Sequence, residues 1–234
     1  YLRSKNKIIM AKKNKTEDQF AQVEQALSKT EQYIEDNQKS LMIIIGAIVG
    51  IIVLFKAYQN FYIIPLEEEA QVEIYMAELY FQKDSFNLAL NGDGQYAGFL
   101  DVADEYSSTN IGELAGYYSG LCYLHTGDYE NAIEYLENFS SSDIILSSLA
   151  LGCAGDAYME LGELENAMDS YEDAVDNSNN EFTAPRYLMK IAMIHEINGD
   201  YSDALDIYKS IKADFSSSRE ASGIEKYISR AENR

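Results

Sequence analysis

From Leu41 to Phe55 the chain runs without a charged or hydrogen-bonding side chain, Leu-Met-Ile-Ile-Ile-Gly-Ala-Ile-Val-Gly-Ile-Ile-Val-Leu-Phe, and a helix of this stretch is apolar on every face. At a rise of about 1.5 Å per residue it covers about 22 Å, short of a hydrocarbon core of about 30 Å. The following flank supplies the remainder: Tyr58, Phe61 and Tyr62 suit the headgroup level, and Lys56 can extend its ammonium outward. The pattern predicts a transmembrane helix over 41–62. A helix in a soluble core seldom stays apolar all round. A cleaved signal peptide fits badly, because some forty residues precede the run and no small-x-small site follows it.

Before the span, between Thr16 and Ser40, the apolar residues Phe20, Val23, Leu27 and Ile34 fall at helical spacing, and Thr16 with Gln19 matches a capping box. The spacing predicts a short amphipathic helix that lies on the membrane, packs on a partner, or is merely solvated. Met10, followed by Ala-Lys-Lys, is a plausible start of translation, with 1–9 upstream of it.

After Pro65 the apolar positions change to a helical period and the sequence repeats itself. Gly120, Tyr123, Gly127, Asp128, Tyr129 and Ala132 recur 35 residues later as Gly155, Tyr158, Gly162, Glu163, Leu164 and Ala167. They recur again, displaced by 37, as Ala192, His195, Gly199, Asp200, Tyr201 and Ala204, and the copies end on Phe139, Ala174 and Ile211. An earlier degenerate copy reads Ala77, Tyr80, Asp84, Phe86 and Ala89, followed by the inserted loop Asn91-Gly-Asp-Gly-Gln95 and an extra helix around Phe99 to Tyr106. Small residues let two antiparallel helices approach, and Gly-Asp or Gly-Glu turns the chain between them. The frame resembles the tetratricopeptide repeat, a helix-turn-helix unit of about 34 residues, over residues 66–215. With Arg219–Asn233 as a capping helix, the expected fold is all-α: a single N-terminal transmembrane helix followed by a tetratricopeptide-repeat α-solenoid. The expected parts are an N-terminal segment at 1–40, the span at 41–62 and a repeat domain at 66–234.

Charge gives the span a direction. Residues 1–40 hold eight Lys or Arg against six acids, whereas the segment after Pro65 holds 33 acids and nine bases, a net charge of −24. Basic flanks stay cytosolic, so the N-terminus is expected in the cytosol and the repeat domain outside it, which for a bacterial inner membrane means the periplasm. An acidic surface of this strength repels phosphate backbones and disfavours nucleic acid.

The chemistry-bearing residues form no catalytic or metal constellation. His195-Glu196 lacks a second histidine at metalloprotease spacing, and His195 occupies a packing slot of the repeat. The loop at 91–95 has too few oxygen ligands for calcium and no lysine for phosphate. Glu67, Glu68 and Glu69 read as first-turn acids beside Pro65. Cys122 and Cys153 read as small buried residues, with a single bridge open in an oxidising compartment. No enzyme activity, cofactor, metal or small-molecule substrate is expected.

What remains is binding to other proteins. The first helix of each repeat should line a concave face, whose slots fall on Tyr117, Leu121, Leu124, His125, Asp156, Met159, Met189 and Met193. Flexible methionines suit varied apolar partners, and the surrounding negative charge favours basic ones. The layout, with Glu35-Asp-Asn-Gln-Lys39 before one span and repeats after it, resembles the YfgM-type ancillary subunits of the bacterial Sec translocon. That resemblance implies an inner-membrane protein, anchored in the bilayer through 41–62, whose periplasmic domain accompanies the channel and serves exported polypeptides or chaperones. The alternative is a scaffold in another envelope complex for secretion, motility or division.

Overall fold

The computed structural model describes residue 31 and residues 33–234. They divide into two units between Phe61 and Tyr62. In the first unit, helix α1 (Gln38–Tyr58) carries the apolar run, and none of its residues is buried. Residues 33–36, which include Ile34, are also helical. Phe20, Val23 and Leu27 of the expected amphipathic helix lie outside the described residues. A π-helical turn, Gln59–Ile63, follows α1.

The second unit is helical throughout its regular structure: α2 (Ile64–Phe81), α3 (Phe86–Asn91), α4 (Phe99–Glu105), α5 (Asn110–Thr126), α6 (Tyr129–Glu137), α7 (Ile144–Leu161), α8 (Leu164–Asn177), α9 (Ala184–Asn198), α10 (Tyr201–Asp214) and α11 (Glu225–Glu232). Helices α5/α6, α7/α8 and α9/α10 are the three repeat pairs, and each packs on the next.

The recurring Gly-acid pair is explained by two helix ends meeting. Gly127, Gly162 and Gly199 take left-handed φ values of 82°, 77° and 88°. The amide of the acid that follows donates back to the carbonyl five residues earlier: Asp128 to Tyr123 (3.0 Å), Glu163 to Tyr158 (2.9 Å) and Asp200 to His195 (2.8 Å). This closes the first helix of each pair in a Schellman motif. The same acid is the N-cap of the second helix, and at Asp128 its carboxylate accepts from the Asn131 amide. In the degenerate copy Asp84 takes the glycine slot at φ 55°, and Ser85 donates to Tyr80 in the matching bond.

The small residues allow close approach. A Cβ on Gly120 would lie 2.7 Å from Leu136, and one on Gly155 would lie 2.6 Å from the Tyr171 ring. Ala132, Ala167, Ala192 and Ala204 are fully buried. Each inter-pair layer is filled with apolar side chains, such as Tyr171, Tyr187, Ile191 and Ile194 between the last two pairs. Polar ties add register. Glu67 on α2 accepts the first amides of α5, Asn110 at 2.9 Å and Ile111 at 3.1 Å, a favourable charge at a helix N-terminus. Asn177 at the end of α8 donates to the Ile144 carbonyl and the Ser148 hydroxyl at the start of α7, both at 3.0 Å.

The inserted segment forms as expected, with Asp93 accepting from the Tyr80 hydroxyl at 2.6 Å and from the amides of Gln95 and Tyr96. The C-terminal helix is shorter than the expected 219–233, because turns occupy 216–224 and α11 starts at Glu225. Ser218 accepts the Ala221 amide, and Ser222-Gly223 are poor helix formers.

By length and composition two helices among the described residues could cross a membrane: the one within Gln38–Phe81, and α7. They differ in their surroundings. Six residues of α7 are buried in the repeat domain, whereas α1 buries none.

Candidate protein-binding groove

The first helices of the three pairs, α5, α7 and α9, present the ends nearest the Gly-acid turns to a shared concavity of about 430 Å³. Four of the expected slots line it: Leu124 from α5, Asp156 and Met159 from α7, and Met193 from α9. Met193 is 38% exposed and also borders a second concavity of similar volume, with Glu196, Ile197, Tyr201, Arg230 and Arg234. The accessible surface thus continues from the middle repeat toward α11.

The other four slots fall elsewhere. Tyr117 and Met189 are buried, Tyr117 against the ring of Phe139 and Met189 in the layer between α9, α10 and α11. Leu121 is half-buried in the layer around Leu136 and Ala154. His125 is exposed, but its imidazole stacks on Phe86 with centroids 4.3 Å apart. Tyr117, Leu121 and Met189 lie one or two helical turns before Leu124 and Met193 on the same stripe, where packed layers cover them.

The acid in the groove is already engaged. Asp156 accepts a hydrogen bond from the Tyr171 hydroxyl at 2.6 Å and an ion-paired one from the Lys190 ammonium. The ammonium also lies 5.2 Å from the centre of the Tyr171 ring, within cation–π range. Burial, followed by the Asp156 hydrogen bond, pushes the Tyr171 phenol well above its ordinary value, so it stays a donor. The groove floor is therefore a neutralised Asp-Lys-Tyr cluster flanked by Met159 and Met193. Glu160, at 3.5 Å from the Tyr129 hydroxyl, carries the remaining negative charge at the rim.

Sequence reasoning missed Tyr129, Glu160, Tyr171 and Lys190, which complete the lining. Lys190 had a readable signal, because it sits one helical turn before Met193. Tyr171 had none, because it comes from the second helix and reaches the groove only because Gly155 leaves room above it.

Burial raises both thiols, Cys122 to about 12 and Cys153 to about 11, and the two are unpaired. His195 is half-buried, with no hydrogen-bond partner at Nδ1. It brings a ring nitrogen within 4.8 Å of carboxylate oxygens of Asp200 and Asp203, a grouping unique among the described residues. Both acids are exposed and belong to the N-cap and first turn of α10, where the helix dipole favours them.

Two family models for the tetratricopeptide repeat match this chain, one at residues 114–142 and the other at 154–219. The chain carries tetratricopeptide repeats. The first match covers nearly all of α5 and α6, and the second runs from the middle of α7 through α10. Among solved structures, the nearly identical TPR-like repeats of a Podosopora anserina protein described as a kinesin light chain superpose with a TM-score of 0.52 at 14% identity. That match covers 70% of this chain and 86% of the other. A singly substituted form of the same repeats gives 0.53 at 15%, covering 70% and 85%. MamA superposes at a TM-score of 0.47 and 18% identity, covering 67% and 92%. No curated protein matches the sequence. At these identities the likeness is one of fold. Tetratricopeptide repeats indicate a protein–protein interaction module, and such folds typically serve as non-catalytic scaffolds.

Proposed function

We propose that the chain is a membrane-anchored interaction module that binds a polypeptide segment across the first-helix face of its repeats. One observation carries this reading. Met159 and Met193, on neighbouring first helices, line one open concavity over a neutralised Asp156–Lys190 floor, so apolar side chains can enter without leaving a buried charge unpaired. The anchor rests on α1, an apolar helix of 21 residues with no buried residue. The excess of basic residues before it supports a cytosolic N-terminus and a periplasmic repeat domain in a bacterial inner membrane.

Anchoring raises the effective concentration of the groove beside a membrane-embedded partner, so weak contacts suffice for capture. The proposed setting is the Sec translocon, with exported polypeptides or their chaperones as the bound segments. This setting rests on the resemblance to YfgM-type subunits and on the one-span layout. The test is purification of the full chain in mild detergent, as wild type and as Met159→Glu/Met193→Glu. Stoichiometric recovery of translocon components, with secretory polypeptides lost in the double variant, is the expected result. A fixed set of partners from another envelope complex, unchanged in the variant, would defeat it in favour of a scaffold.

A further inference from the structure

Away from the groove, a cavity of about 300 Å³ opens between the end of α4 and the pair α5/α6. Its lining includes the aromatic residues Tyr135 and Phe139, the acids Glu113 and Glu134, and Gly116. The three glycines of α5 explain why it is open. A Cβ on Gly112 would lie 2.0 Å from the Tyr106 carbonyl oxygen, and one on Gly120 would meet Leu136, so packing requires both. A Cβ on Gly116 would meet nothing within 4 Å. Glycine is the poorest helix former after proline, yet here it sits mid-helix with no neighbour that demands it.

The repeats themselves show what is missing. At the 35- and 37-residue offsets the position of Gly116 becomes Leu151 and Leu188, and both leucines pack into apolar layers. The position of Glu113 becomes Ser148 and Pro185, both buried. The α5/α6 pair thus lacks the leucine that fills this place in its sister pairs and carries an acid at the edge. No basic residue lines the cavity, and every ion pair among the described residues lies between residues 156 and 232. Among the described residues Glu113 and Glu134 therefore have no ion-pair partner. Burial, then Glu134 and Asp104, raise the Tyr135 phenol, so two carboxylates act on that ring.

From this geometry we infer that the cavity is a binding site for an extended alkylammonium or guanidinium cation, seated against Tyr135 and Phe139 and neutralised by Glu113 and Glu134. Aromatic faces attract such cations most strongly where water is partly excluded, and the volume is at the lower end for small-ligand sites. The shared chemistry belongs to a linear polyamine and to the side chain of a basic residue on a partner.

The test is isothermal titration of the full chain in mild detergent with spermidine and, separately, with the capped peptide acetyl-Gly-Arg-Gly-amide. Four forms are compared: wild type, Gly116→Leu, Glu113→Gln/Glu134→Gln, and Glu172→Gln/Asp173→Asn as a control on exposed acids of α8. The expected result is saturable binding of at least one probe, weakened about tenfold or more by either cavity variant, a loss of about 1.4 kcal/mol, and unchanged in the control. Spermidine binding identifies a polyamine site, and peptide binding alone identifies a basic side chain. Gly116→Leu restores the residue of the sister repeats, so its melting temperature should not fall. The glutamine pair provides the answer independently if the leucine form does not fold. Equal binding by all four forms would mean only diffuse attraction to an acidic surface and would overturn the inference, as would absence of binding by both probes.

Discussion

Gly155 and Gly116 occupy the interiors of equivalent helices, α7 and α5, yet the same substitution should move stability in opposite directions. In an open helix interior, Gly→Ala gains about 1 kcal/mol from the reduced entropy of the unfolded chain and better backbone shielding. At Gly116 the new methyl meets no atom within 4 Å, so the full gain of about 1 kcal/mol is expected. At Gly155 it would lie 2.6, 2.7 and 3.1 Å from three atoms of the Tyr171 ring. That ring cannot retreat freely, because it is 1% exposed, stacks on Tyr187 at 5.9 Å and holds Asp156 through its hydroxyl. Overpacking of this kind costs about 1–3 kcal/mol, which outweighs the helix gain. A net loss of about 1 kcal/mol is expected. In a repeat domain of this size each 1 kcal/mol moves the melting temperature by about 2–4 °C.

The assay is thermal denaturation followed by far-UV circular dichroism under matched conditions, with Gly116→Ala above wild type and Gly155→Ala below it. The two changes should couple to different partners. In a Tyr171→Leu background the penalty at Gly155 should vanish, while the gain at Gly116 should persist. If Gly155→Ala stabilises as much as Gly116→Ala, the steric account of the small positions is wrong.

Met189→Glu should unfold or severely destabilise the domain, by about 3–5 kcal/mol for an uncompensated buried charge, whereas Met193→Glu should melt near wild type, because that side chain is 38% exposed; equal melting temperatures would show that the two slots are misplaced. Alkaline pH should weaken the fold through a half-buried thiol: Cys153, raised to about 11, stays protonated in the fold while the unfolded chain loses that proton near 9. The contribution is complete below pH 9 and declines as pH rises toward 11, so urea midpoints should drop over that window and drop less in Cys153→Ala. Arg230→Ala should loosen α11 by about 1 kcal/mol, a modest value for a half-exposed cation, since it removes both hydrogen bonds to Glu196. Hydrogen exchange confined to α11 and the end of α9 would register the change, and uniform exchange across the domain would contradict it.

The helix pairs were legible in the sequence because each recurring residue answers a local demand that chemistry alone states. A left-handed C-cap needs Gly127, Gly162 or Gly199, the acid after it stands at the N-cap of the next helix and at Asp128 caps it through its carboxylate, and an alanine meets the facing helix. Of the eight slots read from the sequence, Leu124, Asp156, Met159 and Met193 line the concavity and the other four do not. Met193 reaches the surface and Met189, one helical turn earlier on α9, does not, because Met189 sits in the layer against α10 and α11 whereas Met193 borders the concavity. The pairing of Asp156 with Lys190 and Tyr171 spans three helices, and no spacing along the chain encodes it. The start of α11 escaped for a simpler reason: Arg219, Glu220 and Ala221 favour a helix, but Ser218 accepts the Ala221 amide in a turn and Ser222-Gly223 do not propagate one.

The central claim, that the first-helix face of the repeats binds protein segments at a membrane, is tested most directly by photo-crosslinking in native membranes. A photoreactive residue is placed at Met193 in the groove and, for comparison, at Glu172 on α8, an exposed position outside the residues lining the concavity. The account predicts a defined set of protein adducts from position 193, lost when Met159→Glu is added and absent from position 172. Identical adducts from both positions, or adducts from 193 that Met159→Glu leaves unchanged, would contradict it.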